Sequence, residues 1–142
     1  MGNCEATIGR WISILHRYRK YYVNRKLEPI GIAGGQYIFL LVLSKHDGFS
    51  QEELSSYLKI DKTTTAKAVR KLEENGFLFR QTDENDKRAY HVFLTPKAWD
   101  ALPEILQAVE EWEKQMLGGI TPQEVTQLEN LLRKMAQNVS DG

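Results

Sequence analysis

Apolar positions recur along this chain in two rhythms, and the change from one to the other marks its working part. Residues 5–26 place Ile8, Trp11, Ile12, Leu15, Tyr18 and Tyr22 at three- and four-residue steps. That is the stripe of one amphipathic helix, which Pro29 and Gly31 end. Tyr37 to Leu43 is apolar all round, so periodicity leaves both a buried strand and a buried helix open. Its three leucines and a possible span to Lys45 favour helix, and Asp47-Gly48 signals a turn. Ser50-Gln51-Glu52-Glu53 has the S-x-x-E form of a capping box, in which hydroxyl and carboxylate satisfy each other's backbone donors. A short helix follows, with Leu54, Tyr57 and Leu58 on one face. Only Lys59 and Ile60 separate it from Asp61, a good N-cap. Two helices joined by so short a turn cross steeply, which is the helix-turn-helix geometry.

The second helix of that pair carries Ala66, Val69, Leu72 and Gly76 on one stripe, with Thr63, Lys67, Arg70, Lys71 and Glu74 opposite. Asn75-Gly76 supplies a left-handed stop. The rhythm then changes to alternation. Phe77 to Thr82 and Ala89 to Leu94 alternate as half-buried strands do, with Phe77 and Phe79 on one side of the first and Tyr90, Val92 and Leu94 on one side of the second. The intervening DENDKR is wholly polar and reads as a projecting, mobile tip. Helical spacing returns after Thr95-Pro96, an N-cap with proline at the first helical position. Trp99, Leu102, Leu106, Val109, Trp112 and Met116 form the stripe, and Pro103 predicts a kink or a restart. Gly118-Gly119 ends that helix, and Thr121-Pro122-Gln123-Glu124 caps a last one striped by Val125, Leu128, Leu132, Met135 and Val139.

Composition narrows the class. The 142 residues fit one domain, and 42% apolar with 27% charged residues is an ordinary soluble globule. Tyr37 to Leu43 is too short to span a bilayer and the N-terminus lacks the pattern of a signal peptide, so a cytoplasmic location is expected. Cys4 stands alone, and His16, His46 and His91 are scattered, so no local metal-ligand spacing exists. There is no nucleophile elbow, phosphate loop or H-E-x-x-H, and no catalytic residue or cofactor is expected.

Net charge is zero, but its sign is segregated. Residues 1–30 carry six Lys/Arg against Glu5 and Glu28, whereas residues 96–142 carry four against eight Asp/Glu. Such segregation permits a basic face. The basic side of the first helix fits either a solvated surface or a place near DNA phosphates. On the second helix of the pair, threonines are short enough to let backbone approach a groove, their methyls can touch thymine, and Lys67, Arg70 and Lys71 suit phosphates or guanine edges. A merely solvated Thr/Lys surface is the plainer account of that face. Arg88, at the base of the polar tip, suits a narrow minor groove, where negative potential is highest, and Asp86 is placed to bond its guanidinium.

These pieces, in this order, resemble the MarR family of winged-helix regulators. The resemblance is carried by Gly35-Gln36-Tyr37, Ser50-Gln51-Glu52-Glu53-Leu54, Asp61-Lys62-Thr63-Thr64-Thr65, Lys71-Leu72-Glu73-Glu74-Asn75-Gly76-Phe77-Leu78, Asp86-Lys87-Arg88 and Leu94-Thr95. Each is weak alone; their order and spacing are specific, and they cover nearly the whole chain. The resemblance implies a mainly α (α+β) fold and one domain over residues 1–142, with a winged helix-turn-helix at 33–95 and dimerisation helices at 1–32 and 96–142. It implies a homodimeric repressor on a pseudo-palindromic double-stranded site. Its expected DNA contacts are Ser50, Gln51, Lys62, Thr63, Thr64, Thr65, Lys67, Arg70, Lys71, Lys87 and Arg88, with Asp86 orienting the wing. It further implies a small aromatic or phenolic effector near Trp11, His16 and Tyr37, each of which also fits an ordinary core or interface place. Two other readings stand beside it: a winged-helix protein-interaction module that never touches DNA, and a redox-sensing regulator acting through Cys4.

Overall fold

The computed structural model describes residues 7–140. Its elements are α1 (Ile8–Leu27), a 3-10 turn (Glu28–Ile30), α2 (Tyr37–Lys45), α3 (Gln51–Leu58), α4 (Lys62–Glu74), β1 (Leu78–Thr82), β2 (Tyr90–Leu94), α5 (Pro96–Met116) and α6 (Pro122–Ser140). The chain is mainly helical with one antiparallel hairpin, the winged helix-turn-helix expected. No described helix is long and apolar enough to cross a membrane.

Local chemistry sets most boundaries. The backbone N–H of Glu53 donates to Ser50 Oγ and that of Ser50 to Glu53 Oε1, both at 3.0 Å, so the capping box is complete. Thr121 and Glu124 repeat it at α6, at 3.0 and 3.2 Å. Lys59 ends α3 at φ +58°, a left-handed conformation that lets the chain reverse within three residues before α4 begins. At the far end of α4 the Phe77 N–H bonds the Leu72 carbonyl and the Gly76 N–H that of Glu73, with Gly76 at φ +83°. These two bonds close a Schellman motif, and the left-handed turn needs the glycine.

The all-round apolar run is helical because α2 is enclosed: Tyr37, Phe39, Leu40 and Leu43 are buried, and the helix packs on α5 and β2. Around it one core gathers Val23 and Leu27 of α1, Leu54 of α3, Val69 and Leu72 of α4, Val92 of the hairpin and Ile105 of α5. Tyr22 and Trp112 rings 5.7 Å apart and the Lys26–Glu111 pair at 3.5 Å join α1 to α5.

Several predicted inner faces are corrected. In α4 the buried residues are Thr65, Ala68, Val69 and Leu72, and Ala66 lies only at the margin. Tyr57 is exposed and borders the His46 and Phe49 rings, with centroids 5.2 and 5.9 Å away. In β1 the phase is shifted by one residue. Phe77 is buried as part of the α4 cap, before the strand, so Leu78 is the inward residue of β1 and Phe79 turns out to stack on Phe93. The pairing Leu78↔Leu94 and Arg80↔Val92 places Arg80 on the same face as Leu78. In α5, Ala98, Ile105 and Ala108 are buried where Trp99 and Leu106 were expected, because the α1 and α2 sides of that helix, not the full stripe, meet the core. α5 runs through Pro103 as one helix rather than restarting there, and the missing N–H removes one backbone hydrogen bond.

The terminal helices are different. α6 buries none of its residues, and its Leu128, Leu131, Leu132 and Val139 are exposed. Ile8, Trp11, Ile12 and Leu15 of α1 are exposed as well. Among the described residues these two stripes stay largely uncovered.

Candidate nucleic-acid interface

The site is built on the first turn of α4. Asp61 accepts from the Thr64 N–H at 2.7 Å and from the Thr64 hydroxyl at 2.8 Å, so capping also holds the Thr64 side chain. The Thr64 backbone N–H, followed by its hydroxyl, holds the Asp61 carboxyl below its ordinary value. Thr63, Lys67 and Arg70 recur on one exposed face beside Lys71.

Thr65 does not belong to that face. It is fully buried, and its Oγ1 accepts the Ser55 hydroxyl at 2.8 Å, pinning α4 to α3. The third residue of a threonine run necessarily turns about 100° per step away from the first, which carries Thr65 under the helix. It sets the crossing of the pair and is withdrawn as a reader of bases. Thr65→Val is expected to cost about 1–3 kcal/mol, because the Ser55 donor is left buried without a partner. Adding Ser55→Ala should recover part of this loss in a double-mutant cycle followed by chemical denaturation; strictly additive effects would refute the bond's role.

Ser50, Gln51, Lys62, Asp86 and Arg88, expected separately from sequence, come together around one groove of about 340 Å³ between α3 and the hairpin. Tyr90, which sequence reasoning did not select, lines it too and donates its hydroxyl to Gln51 Oε1 at 3.3 Å. Lys62 pairs only loosely with Glu52, at 3.9 Å with both side chains largely exposed, so its charge is available to a ligand. Lys87 and Arg88 are exposed.

Asp86 acts differently from expectation. Its Oδ1 accepts the backbone N–H of Arg88 at 3.0 Å, so it fixes the main chain at Arg88 rather than the guanidinium. The tip is also more ordered than its composition suggests. Asp83 Oδ1 accepts from the N–H groups of Asn85 and Asp86 at 2.8 and 3.2 Å, and its other oxygen meets His91 Nε2 at 2.8 Å.

A second arrangement missed in the sequence ties wing to helix. Arg80 of β1 forms a two-point bond with Glu73 of α4, Nε to Oε2 at 2.9 Å and Nη2 to Oε1 at 2.8 Å. Its guanidinium lies 4.6 Å from the Tyr90 ring centroid. The Glu73 bond, ahead of the Tyr90 contact, raises the Arg80 pKa further. Arg80 shares the Leu78 face but stays exposed, so the pairing with Glu73 had no local sequence signal.

Of the three effector candidates, His16 and Tyr37 line one groove of about 420 Å³, together with Arg19, Trp112 and Leu132. Trp11 is not part of its lining. Tyr37 is buried, which pushes its phenol up against the opposing effect of Arg19. Cys4 lies outside the described residues. Among the described residues no group of three or more His, Cys, Asp or Glu is placed to hold a metal ion.

Comparison with known proteins agrees with this geometry. The MarR family profile matches residues 30–89, the span from the 3-10 turn to the wing. A MarR transcriptional regulator from Methanosarcina mazei Go1 is 42% identical, with TM-score 0.86 over 94% of this chain and 96% of that one. A MarR family transcriptional regulator from Listeria monocytogenes, complexed with 26mer DNA, is 31% identical, with TM-score 0.90 over 95% and 90%. The HTH-type transcriptional regulator YybA of Bacillus subtilis is 29% identical over 92% of this chain and 87% of its own. Regulators of this family are DNA-binding transcription factors and not enzymes. With identity above 30% sustained over almost the entire fold, the chain belongs to the MarR family of transcriptional regulators.

Proposed function

We propose that this protein is a sequence-specific DNA-binding repressor that acts as a homodimer on a pseudo-palindromic operator and is released by a small effector. The observation that carries the reading is the convergence of Ser50, Gln51, Lys62 and Arg88 on one groove beside the exposed Thr63–Lys67–Arg70 face. The DNA complex of the Listeria relative supports it. Residues 33–95 form the DNA-binding region, and residues 1–32 and 96–142 form the dimerisation helices. Two α4 helices then enter successive major grooves, with half-sites about 10 bp apart. Ser50, Gln51 and Lys62 meet phosphates, Thr63, Thr64, Lys67, Arg70 and Lys71 meet the major groove, and Arg88 with Lys87 meets the minor groove. Such a repressor works in the cytoplasm, where its operator lies.

Selection of bound duplex from a random pool tests binding, palindromy and half-site spacing together. With the selected duplex, Arg88→Ala is expected to weaken binding by about 1–3 kcal/mol, roughly 5- to 150-fold. Unchanged affinity in a gel-shift titration would remove Arg88 from the interface. A DNA binder also loses affinity steeply with salt through counterion release. A chain that selects no duplex would instead be the protein-interaction module.

The effector reading rests on the groove lined by His16, Tyr37 and Arg19. A largely apolar wall with His16 and Tyr37 as polar rings, and with Arg19 and Glu113 as opposite charges, suits an aromatic or phenolic compound. Trp11 is left out of that contact. The Cys4 variant gains no support from the described residues.

A further inference from the structure

Both ring nitrogens of His91 face atoms that only accept hydrogen bonds. Nδ1 lies 2.9 Å from the Gly48 carbonyl oxygen, and Nε2 lies 2.8 Å from Asp83 Oδ2. A neutral imidazole carries one N–H and would set its lone pair against one of these oxygens. The geometry therefore belongs to the imidazolium, with two protons and two acceptors.

The bonds continue on either side of the ring. Asp83, held by His91, accepts through Oδ1 from Asn85 and Asp86, and Asp86 accepts from the N–H of Arg88. On the other side, β2 is laced to the same turn: the Gly48 N–H bonds the Val92 carbonyl and the Val92 N–H bonds the Phe49 carbonyl, each at 2.9 Å. One unbroken line of hydrogen bonds thus runs from the segment between α2 and α3 to the main chain of Arg88. The ring is its one member that titrates near neutrality.

We propose that His91, in its protonated form, is the positioning residue of the wing, fastening the hairpin tip to the Gly48 turn and so setting the backbone that presents Arg88 to DNA. The consequence for DNA affinity rests on the reading of Arg88 given above; the fastening itself does not.

The charged and titratable groups on the surrounding elements are Asp83, Glu84, Asp86, Lys87 and Arg88 in the tip, Glu52 and Glu53 in the first turn of α3, and His46 and Asp47 before it. Asp83 and Glu53 act on the ring's charge, and both favour the cation. The Asp83 hydrogen bond, then that of Gly48, raises His91 above 6.5. The same His91 bond, then those from Asn85 and Asp86, lowers Asp83 below 3.8. A raised histidine contributes stability that is complete below 6.5 and lost as pH climbs through its folded value. A depressed carboxylate contributes above 3.8 and is lost as pH falls through its own folded value. The clamp is intact between these limits and opens on the alkaline side through His91.

The test uses the full-length protein in two measurements. In the first, backbone amide and imidazole nitrogen resonances are followed by NMR from about pH 6 to about pH 9. The amides of Asn85, Asp86 and Arg88 are expected to move with the midpoint of the His91 ring, and to stop doing so in His91→Gln. Asp83→Asn, which keeps the acceptor for the tip but removes the charge, is expected to lower the His91 midpoint. In the second, affinity for the selected duplex is read by fluorescence anisotropy over the same range. The wild type is expected to lose about three- to tenfold toward alkaline pH, the span of one hydrogen bond's net effect, and His91→Gln to lose clearly less. Arg88 amide shifts indifferent to the ring, or an equal pH slope in His91→Gln, would overturn the proposal. If no duplex binds at any pH, the DNA reading falls, and the amide titration alone supports or overturns the clamp.

Discussion

Replacing Leu128 and Leu132 together by aspartate is expected to convert the protein to a monomer and to lower its affinity for a two-half-site operator by about 10²–10⁴-fold. The α6 helix carries Val125, Leu128, Leu132, Met135 and Val139 on one side, yet no residue of α6 is buried within the chain. Leu131 and Val139 are 56% and 80% exposed. Ile8, Trp11, Ile12 and Leu15 of α1 are also uncovered, and Ile12 and Leu15 line one groove together with Leu132. Contiguous apolar surface of this kind marks an interface, and the homodimer proposed above would cover both stripes with one self-complementary contact. A carboxylate at each of two central positions would be buried without a partner in that contact, at a cost the interface cannot recover. Neither leucine belongs to the buried core, although Leu132 lines the groove beside Trp112, so the monomer should keep its helical content. Sedimentation velocity gives the state of association and gel shift the affinity. A variant that remains dimeric would place the interface elsewhere. One that dissociates but retains its affinity would show that paired readers are not needed.

Leu72→Ala is expected to destabilise the fold by about 2–5 kcal/mol, the range for removing a fully enclosed leucine. Leu72 is 0% exposed at the back of α4, and its carbonyl accepts the Phe77 N–H that closes the helix. Its side chain anchors α4 in the core, while its carbonyl, which the substitution keeps, closes the turn that launches the wing. The front of α4 is untouched, so DNA affinity per folded molecule should change little. Equilibrium urea unfolding at fixed protein concentration measures the loss, since the stability of the proposed dimer would depend on concentration. A loss below about 1 kcal/mol would mean that the site collapses around the missing atoms and that the core is less tightly packed here than its burial indicates.

The parts of the fold that were legible in the sequence are those set by near neighbours. Ser50 with Glu53, and Thr121 with Glu124, announce helix starts because the bonding groups are three residues apart. Gly76 announces a stop because only the local backbone has to adopt the left-handed turn. The misread parts depend on what lies across the fold. Thr65 looks like its neighbours Thr63 and Thr64 until Ser55 is placed beneath it. The phase of β1 depends on whether Phe77 is counted with the strand or with the α4 cap, and alternation cannot decide that. Asp86 was expected to bond the Arg88 guanidinium, but its partner is the Arg88 backbone N–H, which sequence spacing cannot distinguish from the side chain of the same residue.

Taken alone, the sequence determined the order and type of the elements, the helix-turn-helix, a polar hairpin tip carrying Lys87 and Arg88, and two terminal helices with apolar stripes. Those properties follow from periodicity and capping, which act over a few residues. Tertiary structure alone decided that Arg80 meets Glu73, that His91 bridges Gly48 and Asp83, and that Ser50, Gln51, Lys62 and Arg88 share one groove. Each of these joins residues 7 to 43 positions apart, or gathers several segments at once. A hydrogen bond or a shared cavity is set by distance in space, which local propensity leaves open until the core of α2, α4 and α5 has closed.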